Sequence, residues 1–230
     1  MHDKILKEIM DALMKGDRNG VVKATSQAFE QGVAVKEIIN SALVAGMDMI
    51  GAKFKANEIF IPEVLISAKA MHAGMAVLEP HFVKNGIKPI GKVLIGTVKG
   101  DLHDIGKNIV SMMLRGACFE IDDLGIDVSP QKFIDAAKSK DVDIVAMSSL
   151  LTTSMNAMRD TVSGLNAAGL RDKVKVIVGG APVTQEFASS IGADGYARNA
   201  ATAVDKAKEL LKPFGRLRAL SSSEAEGLER

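Results

Sequence analysis

The hydrophobic pattern changes near residue 88, and this change constrains the fold more than any other feature of the sequence. Beyond it, short apolar runs alternate with amphipathic helical stretches. The apolar runs are KVLIGT (92–97), CFEIDDLG (118–125), VDIVAMSS (142–149), VKVIVGG (174–180) and a short strand near Gly195–Ala197; the helical stretches are 105–116, 130–139, 152–168, 183–191 and 199–211. Five such βα units predict an α/β domain of the Rossmann-like (flavodoxin-like) kind, with a five-stranded parallel sheet between two helical layers.

Residues 1–84 show helical periodicity only, with short connections, which predicts a four-helix bundle. The predicted helices are one carrying Ile5, Leu6, Ile9, Met10 and Leu13, a second over about 20–29, a third over about 35–55, and a fourth that starts at Pro62. We therefore expect a helical domain over 1–88 and a sheet domain over 89–213, joined by the linker NGIKPIG (85–91). The last residues, 214–230, show almost no hydrophobic periodicity and are interpreted as a disordered tail.

The charge balance and the apolar runs exclude several classes of protein. Lys and Arg total 29 against 28 Asp and Glu, and this near-neutral balance argues against nucleic acid as a partner. The apolar runs, of which 142–151 is typical, are shorter than the roughly 20 residues of a membrane-spanning helix, and the N-terminus lacks a signal peptide's apolar region. A single cysteine, Cys118, allows no internal disulfide. We therefore expect a cytoplasmic protein that does not bind a membrane.

Polar and glycine-rich motifs follow three of the predicted strands. In GDLHDIGKNIV (100–110), Asp101, His103 and Gly106 lie between the first strand and its helix, at the carboxyl edge of the sheet, where such folds bind ligands. A carboxylate two residues before a histidine can hold one ring nitrogen and fix the tautomer. Taken alone, the same triplet also fits a polar loop with a solvated histidine.

The other two motifs are Ser148-Ser149-Leu150, after the third strand, and Gly179-Gly180, after the fourth. Paired glycines permit close approach of the backbone to a ligand, although they also suit a plain strand-to-helix turn. Asp122 and Asp123 end the second strand and could form a phosphoacceptor pocket, but they lack supporting residues and are interpreted as solvated.

The pattern D-x-H-x-x-G, then S-x-L, then G-G closely resembles the cobalamin-binding domain of the methionine synthase and corrinoid methyltransferase family. The resemblance covers about residues 1–212, since the segment GMDMIGAKFKANEIFIPEVLISAKAM (46–71) is also similar to the helical cap of that family. It implies an N-terminal four-helix bundle cap over 1–88, followed by a Rossmann-like cobalamin-binding domain with a five-stranded parallel sheet.

The resemblance also implies roles for individual residues. His103 would be the lower axial ligand to cobalt, held by Asp101, and Ser154 would complete a His–Asp–Ser relay. Phe54 and Ile61 in the cap would cover the upper, methyl-bearing face of the corrin. The remaining residues implied in binding the cofactor and its nucleotide tail are Gly106, Ser148, Leu150, Thr152, Gly179, Gly180, Tyr196 and Ala197.

The function implied is that of a corrinoid protein that binds cobalamin base-off and His-on, as methylcobalamin or cob(I)alamin. It would shuttle a methyl group from a substrate-specific methyltransferase to a second methyltransferase acting on tetrahydrofolate or a thiol coenzyme, with a reductive activase as a further partner. The 230 residues leave no room for a (β/α)₈ barrel of about 250 residues, so a carrier subunit is expected rather than a complete enzyme.

Two alternatives remain open at this point. One is the cobalamin-binding subunit of an adenosylcobalamin mutase, although such subunits usually lack a helical cap. The other is a cobalamin-dependent sensor, although this would need a DNA-binding module. The methyl donor is open as well: methanol, methylamines, betaines and aryl methyl ethers all fit.

Overall fold

The N-terminal half is a helical bundle. The computed structural model describes residues 2–82 and 88–211. The bundle helices are α1 (His2–Met14), α2 (Arg18–Glu30), α3 (Val35–Ile38), α4 (Ala45–Lys55) and α5 (Ile61–Leu78), the last followed by a 3₁₀ turn, Glu79–His81. A π-helical segment, Ile39–Val44, joins α3 to α4 without a break. The predicted third helix over 35–55 is therefore one continuous helix that contains a π-helical segment. The predicted four-helix bundle is confirmed.

The π-helical segment lies within a helix whose buried residues keep ordinary helical spacing. A π turn is wider than an α turn and shifts the register of the helix faces. The buried pairs Ile38–Ile39 and Ala42–Leu43 are nevertheless four residues apart, as on one face of an α-helix. Helical periodicity in the sequence does not distinguish this arrangement from a regular α-helix.

Helix α5 is the central helix of the bundle. Pro62 lies in its first turn, as predicted, and the Glu63 carboxylate accepts a hydrogen bond from the Phe60 N–H at 3.2 Å. By length and composition alone, the stretch Ile61–His81 could cross a membrane, and 39% of its 18-residue apolar window is buried inside the protein. This stretch is longer than the apolar runs from which a membrane span was excluded. Its fully buried residues, among them Met71 and Leu78, belong to the bundle core, which accounts for part of its apolar composition.

The C-terminal half is an α/β domain with a parallel sheet, as predicted. The strands are β1 (Lys92–Thr97), β2 (Glu120–Asp123), β3 (Ile144–Ser148), β4 (Lys175–Gly179) and β5 (Gly195–Ala197), in the order β2-β1-β3-β4-β5. The helices are α6 (Ile105–Gly116), α7 (Pro130–Ser139), α8 (Met155–Ala167), α9 (Gln185–Ser190) and α10 (Ala200–Leu210); a 3₁₀ turn, Thr152–Ser154, precedes α8.

Two apolar cores cover the two faces of the sheet. One core lies between the sheet and α7, α8 and α9. The other lies against α6 and α10 and continues without interruption into the helical bundle. The same boundary carries two ion pairs between α4 and α10: Asp48 with Lys208, at 2.6 Å, and Lys55 with Asp205.

The predicted division into residues 1–88 and 89–213 is not tested by these contacts and remains a prediction. Part of the predicted linker, 85–87, and the whole predicted tail, 214–230, lie outside the described residues.

Candidate functional site

The loop between β1 and α6 carries Asp101 and His103 at the carboxyl edge of the sheet. The imidazole Nδ1 of His103 lies 2.7 Å from Asp101 Oδ1, and the same oxygen accepts the backbone N–H of His103 at 3.0 Å. The other oxygen of Asp101 accepts the backbone N–H of Leu150 at 2.5 Å. Asp101 is fully buried, whereas 54% of the His103 side chain is exposed. The carboxylate is therefore fixed inside the protein, and the imidazole extends from it.

The charge of Asp101 follows from these contacts. Burial raises the pKa of its carboxyl, but hydrogen bonds from the backbone N–H groups of His103 and Leu150 and from the His103 imidazole outweigh burial, so that the pKa lies below its usual range. The group is ionised at neutral pH and accepts a hydrogen bond from the Nδ1–H of His103. This assigns the tautomer in which Nε2 keeps its lone pair, the form that binds a metal.

The hydroxyl of Thr97, at the end of β1, also holds this loop in place. Thr97 is completely buried at the end of β1, and its Oγ1 donates to the backbone carbonyl of His103 at 2.8 Å. Sequence reasoning missed this residue, since a threonine at the end of a buried strand fits ordinary packing.

Ser154 supports Asp101 through the segment after β3 and not by direct contact. Its hydroxyl lies 2.7 Å from the hydroxyl of Ser149 and donates to the Leu151 carbonyl at 3.0 Å. Asp101 and Ser154, both within the described part of the chain, share no direct hydrogen bond. Ser154 instead braces the residues whose Leu150 N–H holds Asp101. Ser149 was not predicted, although it lies inside the Ser148–Leu150 motif.

Because this support is indirect, replacing Ser154 should have a small effect. We expect Ser154→Ala to lower the free energy of unfolding by about 1 kcal/mol, the usual contribution of one neutral hydrogen bond. Urea denaturation measures it, with Ser190→Ala, on the exposed side of α9, as the control. A loss several times larger would mean that Ser154 is linked to Asp101 more directly than these contacts indicate.

A cavity of about 540 Å³ opens beside His103 and extends between the sheet and helices α6 and α10. It contains most of the residues singled out in the sequence: Phe54, Ile61, His103, Gly106, Ser148, Leu150, Gly179, Gly180 and Ala197. Thr152 is exposed in the 3₁₀ turn, away from the cavity wall. Tyr196 packs into the core on the opposite face of the sheet, because neighbouring residues of a strand point to opposite faces and Ala197 faces the cavity.

The far wall of the cavity was not predicted. It is formed largely by alanines of α10: Ala200, Ala203 and Ala207 recur at helical spacing and face the sheet. Their small side chains leave volume between helix and sheet that leucine at the same positions would fill. The spacing of these alanines is a signal that sequence analysis could have used.

The paired glycines approach the protein's own backbone. A Cβ on Gly180 would lie 1.8 Å from the carbonyl oxygen of Ser149, and φ at this residue is +125°. A Cβ on Gly179 would lie 2.7 Å from the carbonyl oxygen of Ala197. Both glycines therefore allow neighbouring strand ends to pack closely at the rim of the cavity, which explains them without a ligand.

Several features of the site fit a large metal cofactor. A Cβ on Gly106, which lines the cavity, would meet no atom within 4 Å. Around His103, the apolar side chains of Leu102, Ile105 and Leu150 are 69%, 74% and 45% exposed. An exposed imidazole surrounded by exposed aliphatic groups suits a metal held in a broad apolar ring. The adjoining cavity has room for an arm of the same molecule.

An ion pair between a buried lysine and a partly exposed aspartate adjoins the cavity. Lys107, one residue after Gly106, is 3% exposed, and its ammonium pairs with Asp123 and donates to Asn108 Oδ1 at 2.7 Å. Asp122 pairs with Lys140 at 2.5 Å. Asp122 and Asp123 were interpreted as solvated; their side chains are 23% and 29% exposed, and each also forms an ion pair. The cause is tertiary, since α6 packs beside β2 and places Lys107 at the end of that strand.

Fold and site together define a cobalamin-binding protein with a helical cap, and comparisons with known proteins agree. A B12 binding domain model matches residues 91–205, and a second B12 binding domain model matches residues 5–79. The chain is 45% identical to dimethylamine corrinoid protein 3 of Methanosarcina acetivorans, over 90% of this chain and 97% of the relative. It is 39% identical to a corrinoid protein of Desulfitobacterium hafniense, over 90% and 97%.

Solved structures show the same similarity. A cobalamin-binding protein from Desulfitobacterium hafniense superposes with a TM-score of 0.77 at 34% identity, over 89% of this chain and 98% of that one. The methanol:cobalamin methyltransferase complex MtaBC from Methanosarcina barkeri gives a TM-score of 0.81 at 30% identity, over 94% and 81%. The chain belongs to the family of corrinoid methyl-carrier proteins of methyltransferase systems, and its cofactor is cobalamin.

Proposed function

We propose that this protein carries a methyl group between two methyltransferases in the cytoplasm, with His103 as the lower ligand of its cobalamin. The first would be specific for a methylated amine, and the second would act on a thiol coenzyme or on tetrahydrofolate. A reductive activase would restore the cofactor after accidental oxidation. The observation that carries the proposal is the buried, ionised Asp101 that holds Nδ1 of the exposed His103 at the mouth of the cavity.

The proposed class of methyl donor rests on the relatives. Several of them, at 41–45% identity, are dimethylamine corrinoid proteins of Methanosarcina, and one at 42% is a trimethylamine corrinoid protein. The chain spans nearly their whole length. A methylated amine, and dimethylamine first, is therefore the donor to test.

Each part of the site then has a task. When bound, cobalamin supplies a cobalt centre that accepts and releases a methyl group. Asp101 keeps the His103 imidazole in the metal-binding tautomer and orientation. The cavity walls, with Ser148, Gly179, Gly180 and the α10 alanines, would enclose the nucleotide arm. Phe54 and Ile61 would shield the reactive face from water.

The remaining implied residues are proposed to act less directly. Ser154 would brace the segment that holds Asp101, as its contacts with Ser149 and Leu151 indicate. Gly106 would leave space beside His103. Thr152 and Tyr196 would support the neighbouring turn and the last strand.

Methyl transfer between purified components tests the proposal. The full chain is loaded with cobalamin, reduced and mixed with dimethylamine and a dimethylamine-specific methyltransferase, while parallel mixtures use methanol-, monomethylamine- and trimethylamine-specific enzymes. We expect methylation of the protein-bound cofactor, followed by visible absorption, to be fastest with dimethylamine. The methylated protein should then serve as donor to a thiol coenzyme or to tetrahydrofolate when the second methyltransferase is added. A protein that binds cobalamin but is methylated in none of these mixtures would contradict the proposed function.

The shielding role of Phe54 is tested separately, by the access of a small ligand. Phe54 lies at the end of α4 and lines the cavity that contains His103. We expect Phe54→Ala to let added cyanide reach the bound cofactor severalfold faster, because the variant loses the largest side chain that the bundle contributes to this cavity. Stopped-flow absorbance measures the rate. Phe60→Ala is the control, since Phe60 is 65% exposed and lies outside the cavity wall. Equal rates in the two variants would remove Phe54 from this role.

A further inference from the structure

The loop that carries Asp101 and His103 is held on two sides by neighbouring connections of the sheet. From the β3 side, Leu150 donates its N–H to the Asp101 carboxylate, and Ser148 accepts the Val98 N–H at 3.1 Å. From the β2 side, the connection between β2 and α7 runs along the loop. The motif on the β3 side was singled out in the sequence, whereas nothing in the sequence indicated contacts on the β2 side.

On the β2 side, Asp127 makes two hydrogen bonds to the loop. Its carboxylate Oδ1 accepts the backbone N–H of Gly100 at 2.7 Å, and its own N–H donates to the carbonyl of Asp101 at 3.1 Å. The Gly100 N–H belongs to the Lys99–Gly100 peptide and the Asp101 carbonyl to the Asp101–Leu102 peptide, so the two contacts lie on either side of Asp101 along the backbone. Asp127 therefore fixes the backbone on both sides of the residue that orients His103.

The backbone of Asp127 is in the left-handed region, at φ +51°. Side chains rarely adopt this conformation, and glycine takes it without strain. Residues in such conformations persist where the surrounding contacts hold them, and they cluster at functional sites. What aspartate provides here and glycine cannot is the carboxylate bond to Gly100.

The rest of the β2–α7 connection is fixed firmly enough for Asp127 to act on the loop. Thr97 donates its N–H to the Gly125 carbonyl at 3.0 Å, and its own carbonyl accepts the Val128 N–H at 2.9 Å. Val128 also forms a parallel bridge with Val98 and is buried. Asp127 thus lies between Gly125 and Val128, both of which are hydrogen-bonded to β1. Its backbone is therefore held in place, and its carboxylate can restrain the Gly100 N–H.

From these contacts we infer that Asp127 is a positioning residue for the Asp101–His103 pair, and through it for the ligation of cobalt by His103. The inference rests on the proposed function, because it assumes that His103 is the ligand. Loss of the Asp127 carboxylate frees the Gly100 peptide, lets Asp101 sample other orientations and lowers the fraction of molecules in which the imidazole reaches the metal.

The test compares three variants of the full chain, loaded with cobalamin and reduced to cobalt(II). Asp127→Gly keeps the left-handed backbone and removes the carboxylate. Asp127→Asn keeps an Oδ1 acceptor and tolerates the same backbone. Asp141→Gly is the matched control, because Asp141 is also an exposed, left-handed aspartate, at φ +46°, and lies in the α7–β3 connection at the opposite edge of the sheet.

The readout is the nitrogen superhyperfine splitting in the electron paramagnetic resonance spectrum, which reports the His-ligated fraction. We expect Asp127→Gly to lower the equilibrium constant for ligation about fivefold, the usual effect of one hydrogen bond. Asp127→Asn and Asp141→Gly should retain the wild-type fraction.

An unchanged fraction in Asp127→Gly would overturn the inference, as would an equal loss in Asp141→Gly. So would a failure of Asp127→Gly alone to take up cobalamin, which would place the role of Asp127 in forming the cavity. Failure of the proposed function looks different. In that case His103→Gly itself retains the splitting, whatever the Asp127 variants do.

Discussion

His103→Gly should abolish nitrogen superhyperfine splitting in the cobalt(II) spectrum of the loaded protein while leaving cobalamin bound. The imidazole is the group at the cavity mouth that offers a metal-binding nitrogen, whereas the walls that would enclose the nucleotide arm are formed by other residues. Glycine leaves the space of the ring empty. Added free imidazole should therefore enter and restore the splitting, which distinguishes a missing ligand from a damaged fold.

Asp101→Asn gives the graded counterpart of this result. An amide can still contact Nδ1 but carries no charge. The affinity of the His103 imidazole for the metal should therefore fall about 10–100-fold, the usual effect of replacing the hydrogen-bond partner of a metal ligand. Splitting that survives unchanged in His103→Gly without added imidazole would show that another nitrogen is the ligand, and the proposed function would fail.

The second large effect concerns the ion pair between Lys107 and Asp123 beside the cavity. We expect Asp123→Ala to lower the free energy of unfolding by about 3 kcal/mol, because it leaves the Lys107 ammonium buried with Asn108 as its one remaining partner among the described residues. Urea denaturation monitored by circular dichroism measures the change.

The neighbouring residue provides a matched control for this prediction. Asp122 pairs with Lys140, whose side chain is 43% exposed, so Asp122→Ala should cost at most about 1 kcal/mol. Replacing Lys107 with Met in the Asp123→Ala background removes the unpaired charge and should recover part of the loss. Equal losses in Asp122→Ala and Asp123→Ala would contradict the assignment of a buried charge at Lys107.

The fold was predictable because its signals are local and repeated. The alternation of apolar runs and amphipathic stretches after residue 88 determines a parallel sheet, and β1 begins and ends where the sequence predicts. The other long runs overestimate their strands. Residues 118–119 and 142–143, for example, lie just before β2 and β3. The π-helical segment was missed because both kinds of helix bury apolar side chains at similar spacing.

In the site, too, contacts between residues close in sequence were predictable, and contacts between distant segments were not. Asp101 and His103 are two residues apart on one loop, so their contact could be anticipated from the motif alone. The contacts of Asp123 with Lys107 and of Asp127 with Gly100 join residues 16 and 27 positions apart. They depend on how α6 and the β2–α7 connection pack around the loop, which no local pattern of residues specifies. Tyr196 illustrates the same limit, since the face of β5 decides its neighbours.

The boundary between the bundle and the sheet combines two kinds of contact that respond to salt in opposite directions. The ion pairs Asp48–Lys208 and Lys55–Asp205 involve partly exposed side chains, so their attraction is screened as ionic strength rises. The apolar core that runs across the same boundary is strengthened by salts that are excluded from protein surfaces. A change in ionic strength therefore weakens one kind of contact between the cap and the sheet domain while the other is maintained. A partner that detaches the cap must disrupt both the ion pairs and the apolar core.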